Sequence, residues 1–320
     1  MHLKTYSHAF NLTFIYPYSI DLLLLASMED YIKAGKIAAE VREHMRKRYH
    51  VGRTLLDICE EAEEMIRAKG GEPAFPCNVS LNEVAAHYTA EPNDSIEVRD
   101  GDVLKIDIGV HVNGSIADTA VTVCYNPSYS ILVEAAEHAL REAIRVARAG
   151  VKAGDIGRVI EHTIKSYGLK PVQNLSGHSI AKYTIHAGKS IPNIWTIGSF
   201  SLQQGEVYAI EPFVTTGDGS GLVYNGDISN IYSIVSRKRT ERKEADTFLD
   251  MLWTRFKTLP FALRWLKDED VNHAREMISF LLKKKVIRTY PVLVEGNNRY
   301  VAQAEHTIVP TMEGTVVITA

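Results

Sequence analysis

The chain has 320 residues, 45% of them hydrophobic and 23% charged, with a formal net charge of -3. This is enough to bury one large core or two smaller ones, and the near-neutral charge argues against a general polyanion binder, DNA included. Cys59, Cys77 and Cys124 are an odd number without metal-type spacing. They read as reduced thiols of a cytoplasmic protein, and no apolar run is long enough to span a membrane.

Residues 1–27 differ from the rest of the chain. "NLTFIYPYSIDLLLLAS" is rich in leucine and aromatics, but Pro17 and Asp21 interrupt it and no helical period emerges. A signal peptide is poorly matched, because the start carries little positive charge and the apolar core is broken. The expectation is a non-native or disordered extension, with Met28 as the native start, since helical patterning begins at Glu29. "EDYIKAGKIAAEVREHMRKR" has apolar residues at helical spacing, and "TLLDICEEAEEMIRAKGG" opens on a Thr cap and stops at glycine. Strands come next, around Pro76 to Leu81 and Val103 to Val123.

The same order then recurs. "ILVEAAEHALREAIRVARAG" and "DIGRVIEHTIKSYG" read as helices, and "KPVQNLSGHSI" and "GEVYAIEPFV" as strands. An internal repeat of roughly a hundred residues predicts a pseudo-twofold α+β domain with a site where the halves meet. Residues 236–286 break the rhythm: a basic run, "RKRTERK", leads into the apparent helices "EADTFLDMLWTRF" and "VNHAREMISFLLKKK". A compact helical insertion is the expectation, which leaves 28–235 and 287–320 as the main domain. "RYVAQAEHTIVP" returns to strand character.

Within "KIDIGVHVNGSIADTA" the pair Asn113-Gly114 is a strong hairpin signal, because both residues tolerate the positive φ of a type I′ turn. That turn pairs Val112 with Ser115, Gly109 with Asp118 and Asp107 with Ala120. Directly paired residues share a face, so Asp107 and Asp118 converge as diagonal neighbours. Flanked by Ile106, Ile108, Ile116 and Val121, they need compensating positive charge, supplied by one Arg or Lys or by one or two divalent cations. Glu211 in "YAIEPF" and Glu305 in "AQAEHTI" are further acids in strand-like stretches, and His178 in "NLSGHSI" adds a nitrogen donor. Four carboxylates and one imidazole suit two divalent ions.

"CNVSLNEVAAHYTA", "DVLKIDIGVHVNGSIADTAVTV", "NLSGHSIAKYTIHAGKSIPN", "YAIEPF" and "AQAEHTIV" together resemble, in order and spacing, the motifs of the type 2 methionine aminopeptidases, archaeal branch. The resemblance runs from about Met28 to the C-terminus. It implies the "pita-bread" metallopeptidase fold, with the insertion resembling a winged-helix subdomain. It implies a cytoplasmic monomer that removes the initiator methionine from nascent polypeptides, favouring small second residues, by attack of a metal-bridging hydroxide. Asp118 and Glu305 would bridge two divalent ions (Co, Mn, Fe(II) or Zn), Asp107 would bind one, and His178 and Glu211 the other. Glu211 would move the proton toward the leaving amine, while His87 and His186 would orient the peptide and polarise its carbonyl. Phe75, Ile185, Phe213 and Tyr290 would surround the methionine side chain. Transient ribosome association stays open.

Two rivals share the fold: a proline-specific aminopeptidase or dipeptidase, and a non-catalytic ribosome- or RNA-associated homologue. The first usually carries a substantial domain ahead of the catalytic one, and the second loses metal ligands that stand here. By parity His111 shares the hairpin face and is expected at the rim, His306 is expected on the opposite face, and the run 237–243 is expected to be a solvated face.

Overall fold

The computed structural model describes residues 28–320, so the reading of residues 1–27 as an upstream extension lies outside the described residues. Helix α1 (Glu29–Lys47) turns Ala34, Ile37, Ala38, Val41 and Met45 inward, a spacing of three and four residues that lines up one helical face. Helix α2 (Leu55–Ala68) starts at Thr54, whose hydroxyl accepts the Asp57 N–H and so satisfies one of the free donors of the first turn. Strands β1 (Glu72–Pro73), β2 (Asn78–Leu81), β3 (Val84–Ala86), β4 (Val103–Val112) and β5 (Ser115–Cys124) come after it. Strand β4 is the centre of the first sheet: β1, β2 and β5 all pair with it antiparallel, and α1 covers β4 and β5.

The pattern repeats with helices α3 (Ser130–Val146) and α4 (Ala153–Ser166). Alanines at 135, 136, 139 and 143 give α3 a smooth buried face. The strands are β6 (Lys170–Pro171), β7 (Ser176–Ile180), β8 (Ser190–Pro192), β9 (Val207–Ile210), β10 (Phe213–Thr215), β11 (Val223–Asn225) and β12 (Ile231–Ile234). After helix α5 (Lys243–Phe256), β13 (Phe261–Ala262) and helix α6 (Val271–Lys283) come β14 (Ile287–Tyr290), β15 (Leu293–Glu295), β16 (Val301–Gln303), β17 (His306–Pro310) and β18 (Thr315–Val317). The second sheet has the order β18-β17-β9-β7-β8.

Each half has its own buried cluster. One gathers α1, α2 and the first sheet with one face of the second (Ile180, Val207, Ala209, Val309), the other α3, α4 and the opposite face of the second sheet (Tyr208, Ile210, Ile308). The halves are joined at the strand that carries Asp118: its N–H donates to Thr307 Oγ1 and its carbonyl accepts from that hydroxyl, both at 2.7 Å. Ala120 bridges to Glu305 beside them.

The segment expected to be helical contains more than helices. α5 and α6 pack on an antiparallel sheet of order β13-β12-β14 around Phe248, Leu252, Phe261, Met277 and Leu281. Strands β12 and β14 lie just outside residues 236–286, and β13 is two residues long. A strand that short has no period to read, and its pairing is non-local.

Candidate metal centre

Asn113 and Gly114 take φ of 50° and 87°, as a type I′ turn requires. The register is Val112 with Ser115, Gly109 with Asp118, and Asp107 with Ala120. Both carboxylates therefore leave the sheet on one face. Gly109 is bare between them for a reason: a Cβ there would lie 2.2 Å from the Phe75 ring, so the aromatic rests directly on the hairpin backbone.

Glu211 and Glu305 were expected inside strands, and the structure corrects this. Glu211 occupies the break between β9 and β10, and Glu305 the break between β16 and β17. A side chain at such a break can leave the sheet in a direction that strict alternation forbids. His178 lies within β7. Its Nε2 is 3.6 Å from Asp118 Oδ2 and 3.6 Å from Glu211 Oε1. One ligand atom from each of Asp118, His178 and Glu305 falls within 4.8 Å of the others.

The electrostatics are those of a site short of positive charge. Burial pushes the Asp107 carboxyl up to about 7. Burial and then the neighbouring acids push Asp118, Glu211 and Glu305 well above the carboxylate range. Burial, then the charge of His186, lowers His178 to about 3, leaving a neutral imidazole with a free lone pair. Asp107 Oδ1, Asp118 Oδ1 and Glu305 Oε1 are buried without a hydrogen-bond partner in the protein, although buried polar atoms are normally satisfied. Gln303 Nε2 reaches only to 3.4 Å from Glu211 and Glu305. Clustered acids, orphaned oxygens and a neutral imidazole are the donor set for hard to borderline divalent cations.

All eleven residues given metal, catalytic or substrate-binding roles in the sequence line one cavity of about 310 Å³. His178 and His186 stand edge to face, with centroids 4.3 Å apart. Tyr290 lies 6.4 Å from His186 and 5.8 Å from His87. The cavity is thus lined by acids, by imidazoles and by the apolar side chains of Phe75, Ile185, Phe213 and Tyr290.

The sequence profile of metallopeptidase family M24 matches residues 29–236. The methionine aminopeptidase of Methanocaldococcus jannaschii is 44% identical over 292 residues, which span 91% of this chain and 98% of that one. The chain belongs to metallopeptidase family M24. The crystal structure of a methionine aminopeptidase from Thermotoga maritima superposes with a TM-score of 0.67 at 22% identity, covering 92% of this chain and 96% of that one. A thermophilic Arx1 structure gives a TM-score of 0.78 at 19% identity, covering 94% and 91%. These likenesses establish the pita-bread fold. As an M24 metallopeptidase, the protein uses divalent metal.

Ten residues lining the cavity of this M24 member were not singled out in the sequence, among them Asn78, Ala86, Ile231 and Pro260. Asn78 donates to Asp107 Oδ2 at 3.4 Å, and the other three add apolar lining. A lone amide and three ordinary apolar residues carry no local signature. His111 stays outside this cavity: it accepts the Gly114 N–H and its ring packs on Tyr183. His306 faces away, with Nδ1 near Arg42 and Thr319. The three arginines of the basic run are ion-paired. Arg239 meets Asp250 at 2.8 Å, and Arg242 meets Glu244 and Glu276 at 2.6 Å each. Among the described residues, no helix is long and apolar enough to cross a membrane.

Proposed function

We infer that this M24 metallopeptidase removes the N-terminal methionine from nascent polypeptides. The observation that carries the reading is one cavity lined both by a cation-seeking acid cluster and by the apolar side chains of Phe75, Ile185, Phe213 and Tyr290, which suit a thioether. The full-length match to a relative named methionine aminopeptidase supports it and gives the proline-specific and non-catalytic alternatives no support.

The residues that would hold two divalent ions are Asp118 and Glu305 between them, Asp107 on one, and His178 and Glu211 on the other. Cobalt, manganese, iron(II) and zinc all suit such a set. When bound, the ions supply the positive charge that offsets the acids, polarises the substrate carbonyl and makes a water more acidic.

The chain's own groups account for the rest. His87 is lowered by burial and stays neutral. Its Nδ1 lies 3.2 Å from the Pro291 carbonyl, which can only accept, so the proton is assigned to Nδ1. Nε2 is then left to accept a peptide N–H. His186, lowered to about 4 by burial and then by His87, can donate a neutral N–H to a carbonyl oxygen. Glu211, raised by burial and Asp107, can carry a proton to the departing amine. Ile231 and Pro260 join Phe75, Ile185, Phe213 and Tyr290 around the methionine side chain. On this reading residues 236–286 are a winged-helix-like insertion that closes the pocket wall. The protein acts as a cytoplasmic monomer, and ribosome contact is at most transient.

The test is a panel of Met-Xaa-Ser tripeptides with metal-reconstituted protein. Methionine release that is fast for small Xaa and slow for bulky Xaa supports the reading, and release that ignores the first residue contradicts it.

A further inference from the structure

A buried polar ring outside the acid cluster joins residues 236–286 to two stretches of chain that line the cavity. Arg264, in the short 3-10 turn Leu263–Trp265, is 3% exposed, and Glu63 of α2 is 2% exposed. Arg264 Nη2 donates to Glu63 Oε1. Its Nη1 donates to Thr89 Oγ1 at 2.8 Å and to the Ala90 carbonyl at 3.0 Å. Thr89 Oγ1 donates to the Cys77 carbonyl at 2.7 Å, and the Cys77 N–H donates back to Glu63 Oε1 at 3.0 Å. The ring is closed. Trp265 Nε1 holds the other Glu63 oxygen at 2.6 Å.

Two strips of chain are fixed by this ring. Cys77 lies between Phe75 and Asn78, and Thr89 lies two residues beyond His87. His87 itself sits at φ 67°, a left-handed conformation that a non-glycine residue keeps only where its surroundings hold it. Immediately after it, the Tyr88 carbonyl accepts the Val79 N–H at 2.8 Å. We propose that Arg264 is a positioning residue: with Glu63 it sets His87 against Phe75 and Asn78, so that residues 236–286 complete the substrate site from behind. This rests on the aminopeptidase reading of the cavity.

A buried ion pair is a poor stabiliser, since apolar residues of similar volume commonly replace it without loss, whereas removing one partner alone is severe. The informative variant is therefore Glu63→Leu with Arg264→Met, measured with and without His87→Ala. Kinetics on Met-Ala-Ser are expected to show kcat/KM down at least about tenfold, the order expected when a positioned group is misplaced, in a variant that still melts cooperatively although the Cys77 N–H and Trp265 Nε1 lose their Glu63 acceptors. His87→Ala, which costs about a hundredfold in the wild-type background, should cost less than about tenfold in the double variant, because His87 is already displaced. An equal cost in both backgrounds overturns the proposal. Arg264→Lys keeps the charge without the fork and is expected to show the same coupling in weaker form if the double variant does not fold.

Absence of methionine release by wild type would instead overturn the reading of function. The ring is then judged by hydrogen exchange on the folded variants. Faster exchange at the Val79 amide, whose acceptor on Tyr88 the variants leave in place, supports it, and wild-type rates there overturn it.

Discussion

Asp107 and Asp118 stand on one face of the β4–β5 hairpin, Asp107 opposite Ala120 and Asp118 opposite Gly109. The turn at Asn113-Gly114 sets that register, and the register makes the two carboxylates neighbours. Their proximity is unfavourable without a cation and useful with one. Asp118→Asn is therefore expected to act in opposite directions on two quantities. It should lower the divalent metal retained per chain and raise the Tm of metal-free protein, by about 2–4 °C for the relief of about 1 kcal/mol. Metal analysis and scanning calorimetry on chelator-treated protein check both. A lower Tm without metal would show that Asp118 is not under like-charge stress.

Gly109→Ala probes the contact between the hairpin and the pocket. The added methyl would meet the Phe75 ring at 2.2 Å, so Phe75 must move toward the cavity. Overpacking of this kind costs about 1–3 kcal/mol. The expected result is a lower Tm with KM for Met-Ala-Ser raised about tenfold, the cost of about 1.4 kcal/mol in binding. Unchanged kinetics would place Phe75 outside the substrate's reach.

Ile231 lines the cavity, is the strand partner of Tyr290 and is 3% exposed. Ile231→Ala should enlarge the cavity there and shift selectivity toward larger first residues. The ratio of kcat/KM for Phe-Ala-Ser over Met-Ala-Ser is expected to rise about tenfold, within the range that a few methylene groups are worth. A ratio that does not move would remove Ile231 from the pocket wall.

Glu295 gives a pH-dependent prediction far from the acid cluster. It is buried and accepts from Ser220 Oγ at 2.7 Å, Asn297 N at 2.7 Å and Arg299 N at 2.9 Å. Burial alone would raise its carboxyl, but the donors from Ser220, Arg299 and Asn297 outweigh burial and hold it below its ordinary value. A folded pKa below the unfolded value of about 4.3 means stability that is present above that value and lost as pH falls through the folded one. Glu295→Gln should cost about 2 kcal/mol at neutral pH, the worth of a charged hydrogen bond. The gap to wild type should close below about pH 4. Melting curves across that range check it, and a gap independent of pH would contradict it.

The hairpin was legible because an Asn-Gly turn fixes a register and a two-residue period then assigns faces. The helices were legible for a related reason: Thr54 caps α2, and the apolar spacing of α1 is unbroken. Glu211 and Glu305 were legible as acids amid apolar neighbours, but not as residues at strand breaks, since the breaks come from the meeting of two halves far apart in sequence. The same holds for the β13-β12-β14 sheet, whose strands are brought together by the turn of α5 and α6. Pro260 and Arg264 lie in a segment whose composition announces only helices, and their proximity to the cavity is a property of the folded chain.

The most direct test of the central claim is hydrolysis of Met-Ala-Ser, Ala-Pro-Ser and a Leu-Pro dipeptide by metal-reconstituted wild type beside Asp118→Asn. The account predicts rapid methionine release from Met-Ala-Ser alone, abolished in the variant; cleavage confined to bonds before proline, or none with any of the four metals, would contradict it.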